Sequence, residues 1–380
     1  MHPSAKRTSR ATLVAFAVVA AMGLCAPAHA ALFDVLDGLT KKIAEGTAAA
    51  DREVDAAFEQ ELRKELPAYS FGTPAAEQSG RFVKASNLDT IGEVKKVGIV
   101  NFSVEFVVER EATARGSTKE STKVRSIPMP DTARMQAIVE DLYAKTVLDL
   151  GSLGLEIVPA ATLKATKSYG EIKSDLHESP WATDTRGDVE GANAGSNSGA
   201  KSIFVSPAGL PTFMDNPKRM SQTISTGLGA MFGTNIPLKL VMIGYDLNRE
   251  VVLLSANWVV DFSIIKSSGR SLLNVAKVRA ARIHHLQAQN SYFRFISAKG
   301  VVPLFALKEP LVSEKPIYSE ASNVTSDVQD KLNGTEVTVS SDMKFFEDVY
   351  YARSAEMLEN SRQMFVAEIR RSLPAIAAKP

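Results

Sequence analysis

The stretch VVLLSANWVVDFSII, Val251 to Ile265, does most to limit what this chain can fold into. Val252, Leu254, Ala256, Trp258, Val260, Phe262 and Ile264 recur at every second position. The alternate set, Val251, Leu253, Ser255, Asn257, Val259, Asp261 and Ser263, mixes apolar with polar residues. Successive side chains of a strand point to opposite faces, so the pattern predicts a strand with one face in a core. The apolar run before it, Leu238 to Leu247, is set off by Asn248 and Arg249, with Asp246 nearby, residues suited to a turn. The two runs read as a long antiparallel hairpin. The first strand is apolar on both faces and is placed centrally in its sheet. A membrane helix would need about twenty apolar residues without DLNRE in their midst.

The N-terminus reads as an export signal. Lys6, Arg7 and Arg10 precede the apolar run TLVAFAVVAAMGLCAP, and AHA precedes Ala31. Cleavage is expected after Ala30, and the protein is expected in the periplasm or outside the cell. Cys25 is the sole cysteine and lies inside this segment. Leu24 before it does not suit a lipidation site. A chain cut after Ala30 has no disulfide or thiol chemistry and depends on its core for stability. Without the three leader cations, the 44 Lys and Arg fall to 41 against 43 Asp and Glu, a net charge of −2. That balance, with no basic stripe and few scattered aromatics, argues against nucleic acid as a partner.

Along the chain, apolar residues from Leu32 to Leu66 recur at helical spacing, and Pro67 ends the run. Residues 67–92 read as a linker. VKKVGIVNFSVEFVV, Val94 to Val108, is a strand with Val104, Phe106 and Val108 on one face. REATARGSTKESTK is fit for an exposed loop or hairpin tip. A helix follows from Pro128, Pro130 and Asp131, with the stripe Met135, Ile138, Val139, Leu142, Thr146, Val147 and Leu150. Gly151 and Gly154 close it. LEIVP is a short strand, so strand, helix and strand arrive in α/β order. Residues 167–200 read as a long loop, KSIFVSP as a strand, and 217–233 as a glycine-containing helix. LLNVAKVRAARI, SYFRFIS, VVPLFAL and a short segment at Val337 and Val339 are further strands. A closing helix runs from Lys344 to Leu373.

The fold class is therefore α/β or α+β: a mixed sheet with a long antiparallel hairpin, flanking helices and helical extensions at both ends. The expected organisation is a signal at 1–30, a helical segment and linker at 31–92, and an α/β core at 93–310. A strand-containing extension follows at 311–341, then an amphipathic helix at 342–380.

The order VGIVNFSV, striped helix, GLEIVPAATLKA and YDLNREVVLLSANWVVDF, over about residues 94–265, resembles the α/β core of the curli-assembly lipoprotein family. It also resembles related periplasmic proteins with a TolB-N-terminal-like fold. The curli-assembly family is lipidated at a cysteine, which this chain lacks beyond Cys25. The resemblance implies a non-enzymatic envelope protein of secretion or assembly and carries over no catalytic residue.

Candidate chemistry is sparse. His284 and His285 are adjacent in a strand and point to opposite sides, so they do not chelate together. His177 sits in a loop before Glu178. No HExxH, GxSxG, P-loop or GxGxxG pattern occurs, and GLGAMFG at 227–233 lacks a following Lys-Ser or Lys-Thr. No catalytic, cofactor or metal residue is assigned and no cofactor is expected. Asp261, in an apolar strand beside Asn257 and Ser263, reads as a hydrogen-bonded or solvent-facing aspartate. Trp258 reads as core, and Trp181, beside Pro180, as a contact residue. Tyr350, Met357 and Met364 repeat at seven beside Tyr351, Leu358 and Phe365. That stripe packs either on the chain's own body or on a partner helix.

The leading expectation is an exported interaction or assembly protein with a protein partner or self-association; peripheral membrane association stays open. A hydrolase is the second reading, and a compact cleft holding His284 or His285 near Asp261 would favour it. An oligomeric pore former that pools hairpins is the third.

Overall fold

A computed structural model describes residues 57–373 except 89–90, 92–93, 116–118, 126–129, 173–175, 187–188, 191–196, 215–235, 269–276, 289, 299–302, 319–322, 332–333 and 343–344. The chain divides into two units, Met1–Arg52 and Glu53–Pro380, and every described residue lies in the second. The fold is mixed α/β.

Two strands organise it. β2 (Lys96–Arg115) is twenty residues long and lies parallel to β8 (Val251–Asp261). β4 (Glu156–Val158) adds in parallel at the start of β2, across the crossover that contains α2 (Thr132–Ser152). β12 (Tyr292–Ile296) and β13 (Leu304–Leu307) continue the sheet beyond β8, and β1 (Val83–Ser86) ends it. The far half of β2 pairs with β3 (Lys119–Arg125) on one side and β7 (Asn197–Val205) on the other. β5 (Trp181–Arg186) follows β7, while β16 (Gly334–Asp342) and β15 (Asn323–Lys331) follow β3. A second sheet holds β6 (Val189–Glu190), β9 (Ile264–Ser268) and β10 (Lys277–Ala281).

Both faces of the central strands are covered. Trp258, Ala256, Leu254 and Val260 of β8 join Val97, Ile99, Phe102, Val104 and Phe106 of β2 in the main core. α1 (Ala75–Phe82), α2 and α6 (Glu347–Ser372) supply its other wall. On the opposite face Leu253 and Val100 pack with Leu163 of α3 (Ala160–Lys164), Tyr169 and Ile172 of α4 (Lys167–Ile172), and Leu240 and Ile243 of α5 (Ile236–Asp246). Each large aliphatic or aromatic side chain so buried is worth about 1.5–3 kcal/mol.

The predicted strand Leu238–Leu247 is instead the helix α5. Its buried residues Leu240, Ile243 and Gly244 sit at helical spacing, with Met242, Tyr245 and Asp246 exposed. A ten-residue run with seven apolar side chains satisfies either period, so the sequence pattern leaves the choice to packing. The turn survives: Asn248 and Arg249 have φ of 56° and 62°. Arg249 pays about 1–2 kcal/mol for the left-handed region, partly offset by its guanidinium lying 4.5 Å over the Tyr245 ring.

Two predicted connections are structured. The linker at 67–92 holds α1 and β1, with Tyr69 and Phe82 edge to face at 5.1 Å in the core. The long loop at 167–200 holds α4, β5, β6 and the start of β7, all polar enough to hide their period. The run REATARGSTKESTK is the β2–β3 hairpin, and β15 joins the expected strand at Val337 and Val339. Of the N-terminal helical run only 57–66 is described, and it is helical to residue 65. The expected signal, residues 32–56 and the helix at 217–233 lie outside the described residues.

Helix ends follow local chemistry. The Asp131 carboxylate accepts from Arg134 N–H at the start of α2, and the Asp131 N–H donates to the Tyr351 hydroxyl of α6 at 2.8 Å. Gly154, at φ 83°, reverses the chain after α2, and the Leu155 N–H returns to the Leu150 carbonyl.

Candidate functional site

The mixed face of β8 meets the mixed face of β2, and their polar residues coincide. A bulge at Val100 shifts the register from Ile99 opposite Leu254 to Asn101 opposite Ser255. Without it, Asn101, Ser103 and Glu105 would fall on the apolar side with Trp258. With it, the Asn101 amide donates to Ser255 Oγ at 3.2 Å, and Ser103 Oγ donates to Asn257 Oδ1 at 2.9 Å. Ser202 and Thr185, on β7 and β5, both donate to Glu105 Oε1.

From Asn257 the hydrogen bonds run on without a break. Its amide donates to the Asn290 carbonyl at 2.8 Å, the Asn290 amide to Gln287 Oε1 at 3.0 Å, and the Gln287 amide to Asp261 Oδ2 at 2.6 Å. Arg110 closes the chain with an ion pair to the same carboxylate oxygen. The Phe262 and Ser263 N–H groups both donate to Asp261 Oδ1. Asp261 is 0% exposed and Arg110 2%.

Burial alone would raise the Asp261 carboxyl. The Arg110 and His285 charges and the hydrogen bonds from Arg110 and Gln287 outweigh it and hold the carboxyl below its ordinary value. The group is a saturated, ionised acceptor, and proton abstraction from a substrate is blocked by its four donors. Among the described residues, Arg110 Nε and Nη1, Asn101 Oδ1 and Ser263 Oγ have no hydrogen-bond partner.

The histidines divide as their adjacency requires. His285, opposite Asp261 in the ladder of β8 with β11 (His285–Leu286), whose other neighbour is β14 (Leu311–Val312), lies on the polar side. His284 lies on the helix side, 3.1 Å from Ser354 Oγ and beside the Tyr350 ring. Burial, followed by the His285 charge, pushes His284 down to about 3, so it is neutral. The pair and Asp261 do come together, but His284 and His285 are 2% and 5% exposed. This is a buried network rather than a substrate cleft. Among the described residues no group of three His, Cys, Asp or Glu could hold a metal ion.

The α6 stripe is resolved in favour of the chain's own body. Met357 and Met364 are 0% exposed and Tyr350 4%, all in the main core, which corrects their candidacy as partner contacts. Ser361 lets α6 approach the sheet and accepts from the Trp258 indole N–H at 2.8 Å, so Trp258 is core. Trp181 stays partly exposed. It stacks on His177 at 3.9 Å with ring planes 9° apart, on the strand β5.

Sequence reasoning singled out Asn257, Trp258 and Asp261 but missed Arg110, Gln287 and Asn290. The available signal was matched alternation: Asn101, Ser103 and Glu105 on one strand, Ser255 and Asn257 on the other. No protein-family model, curated protein or solved structure matches this chain. Among the described residues, no helix is long and apolar enough to cross a membrane.

Proposed function

We propose that this chain is an exported, non-enzymatic protein of the cell envelope that works by binding other polypeptides. One observation carries the reading: β5, at a margin of the large sheet, pairs with β7 alone among the described strands, as β15, β1 and β4 each pair with a single neighbour. An uncovered edge offers unpaired backbone groups to an added strand. Trp181 on β5 supplies a partly exposed aromatic anchor beside that edge. The export-signal pattern at 1–30 and the resemblance in element order to envelope assembly proteins support the compartment. The burial and saturation of Asp261 favour binding over hydrolysis.

Fractionation of the native host tests the reading. Osmotic shock should release a protein that begins at Ala31 and elutes above the mass of one chain. Retention in the cytoplasm with residues 1–30 intact would refute export. A single-chain mass that no envelope extract increases would refute binding.

A further inference from the structure

The helix at 57–65 is held less firmly than the body it lies on. Of residues 57–66 only Leu62 is buried, while Phe58 and Leu66 are partly so. The three recur every fourth residue and form one stripe. They pack on Ile264, Ala281, Ile283 and Val312, a small apolar cluster separate from the main core. Attachment to the main core begins at Tyr69, which is buried. Its hydroxyl donates to Asn360 Oδ1 at 2.8 Å, and its ring meets Phe71 and Phe82 edge to face. Pro67 lies between the two attachments, just past the helix end.

One carboxylate gathers the polar contacts of this helix. Glu59 accepts from Arg63 Nε at 3.1 Å and from the Arg282 N–H at 3.2 Å. The Tyr318 hydroxyl lies 2.9 Å from both Glu59 oxygens. Burial first, and then the Glu59 charge, raise the Tyr318 hydroxyl above its ordinary value, so it stays a donor. The Arg63 guanidinium reaches on to the Ser313 and Arg282 carbonyls at 3.4 and 3.5 Å. Glu59 therefore ties the helix to the chain just after β10 and to the chain after β14.

We propose that the helix at 57–65 is a releasable strap, which leaves the body as a unit when the Glu59 contacts break, hinges at 66–68, and uncovers Ile264, Ala281 and Ile283. The inference goes beyond the binding reading and does not depend on it. Segments that open short of global unfolding are those with few buried apolar contacts. Here one buried leucine stands against Tyr350, Met357, Leu358, Met364, Phe365 and Ile369 of α6 in the main core. Hydrogen bonds to a charged group are stronger than neutral ones, so Glu59 holds a large share of the attachment. Release moves the point where the chain leaves the body from Phe58 to Tyr69. The reach of the chain before residue 57 then grows by up to about 35 Å, at about 3.3 Å per freed residue.

Thiol accessibility tests the strap. In a Cys25→Ser background, Ala281→Cys places a thiol in the cluster that the strap covers, and Ala256→Cys places one in β8 within the main core. Both alanines are 0% exposed. In native buffer a thiol reagent should react about a hundredfold faster at 281 than at 256. Adding Glu59→Gln should speed the reaction at 281 about tenfold and leave that at 256 unchanged. Equal rates at the two positions would show that the helix leaves only when the whole chain unfolds, and would overturn the strap. A rate at 281 that Glu59→Gln does not change, or a change shared by both positions, would overturn the part assigned to Glu59. Hydrogen exchange in the unsubstituted chain makes the same comparison without an added thiol. Backbone amides at 58–66 should exchange about a hundredfold faster than those of α6, and matching rates would overturn the strap.

Discussion

Arg110 and Asp261 show how much one buried pair can govern. Taking either charge out of water costs several kcal/mol, which the contact regains only while both partners are present. Asp261→Ala strands the Arg110 guanidinium and should lower unfolding free energy by about 3–5 kcal/mol in urea titration. Adding Arg110→Met should recover at least half of that loss, because the double variant buries no unpaired charge. His284 gives a pH signature. Its folded value, about 3, lies below the ordinary 6.5, so the unfolded chain binds the proton first as pH falls. Stability should therefore decline from pH 6.5 toward 3, by about 1.4 kcal/mol per unit from this group. Asp261, whose value is lowered, loses its contribution only below the ordinary carboxylate range. Between pH 6.5 and 4.5 His284→Gln should therefore make the decline in urea midpoints shallower.

At the scale of elements, β2 and α3 approach closely at Gly98. A Cβ built on Gly98 would lie 2.7 Å from Leu163 Cδ2, 3.1 Å from Leu163 Cδ1 and 3.3 Å from Leu253 Cδ2. The atoms in the way are the ends of the Leu163 and Leu253 side chains, which must shift within a packed core to make room. Gly98→Ala should cost about 1–3 kcal/mol, and Leu163→Ala in that background should add less than it does alone. The two bulges of β2, at Val100 and Val108, explain why its pattern was only half legible. Val104 and Phe106 keep the expected face, whereas period-two counting across Val100 puts Asn101 on the same side as Ile99. α2 and α6 were legible because their stripes run unbroken for several turns. α5 was not, because its short apolar run fits both periods.

For the whole molecule, the proposed binding reading places a partner on the edge at β5, which pairs with β7 alone among the described strands. Trp181→Ala should reduce mass gained from envelope extract at least severalfold in light scattering, with an unchanged urea midpoint. An unchanged gain in mass would contradict the edge assignment. The core tolerates this change, because Trp181 packs on His177 and Phe204 at the margin of the sheet.

The amino-acid sequence by itself determined the strand Val251–Asp261, the striped helices α2 and α6, the turn at Asn248 and the mixed α/β class. Each rests on side chains a few residues apart, where local period and turn chemistry decide. Only the tertiary structure decided that Leu238–Leu247 is a helix, that Met357 and Met364 face the chain's own sheet, and that Arg110 meets Asp261 across 151 positions. Those outcomes depend on which strands become neighbours. That is a property of the folded sheet and its bulges, and no local window of residues carries it.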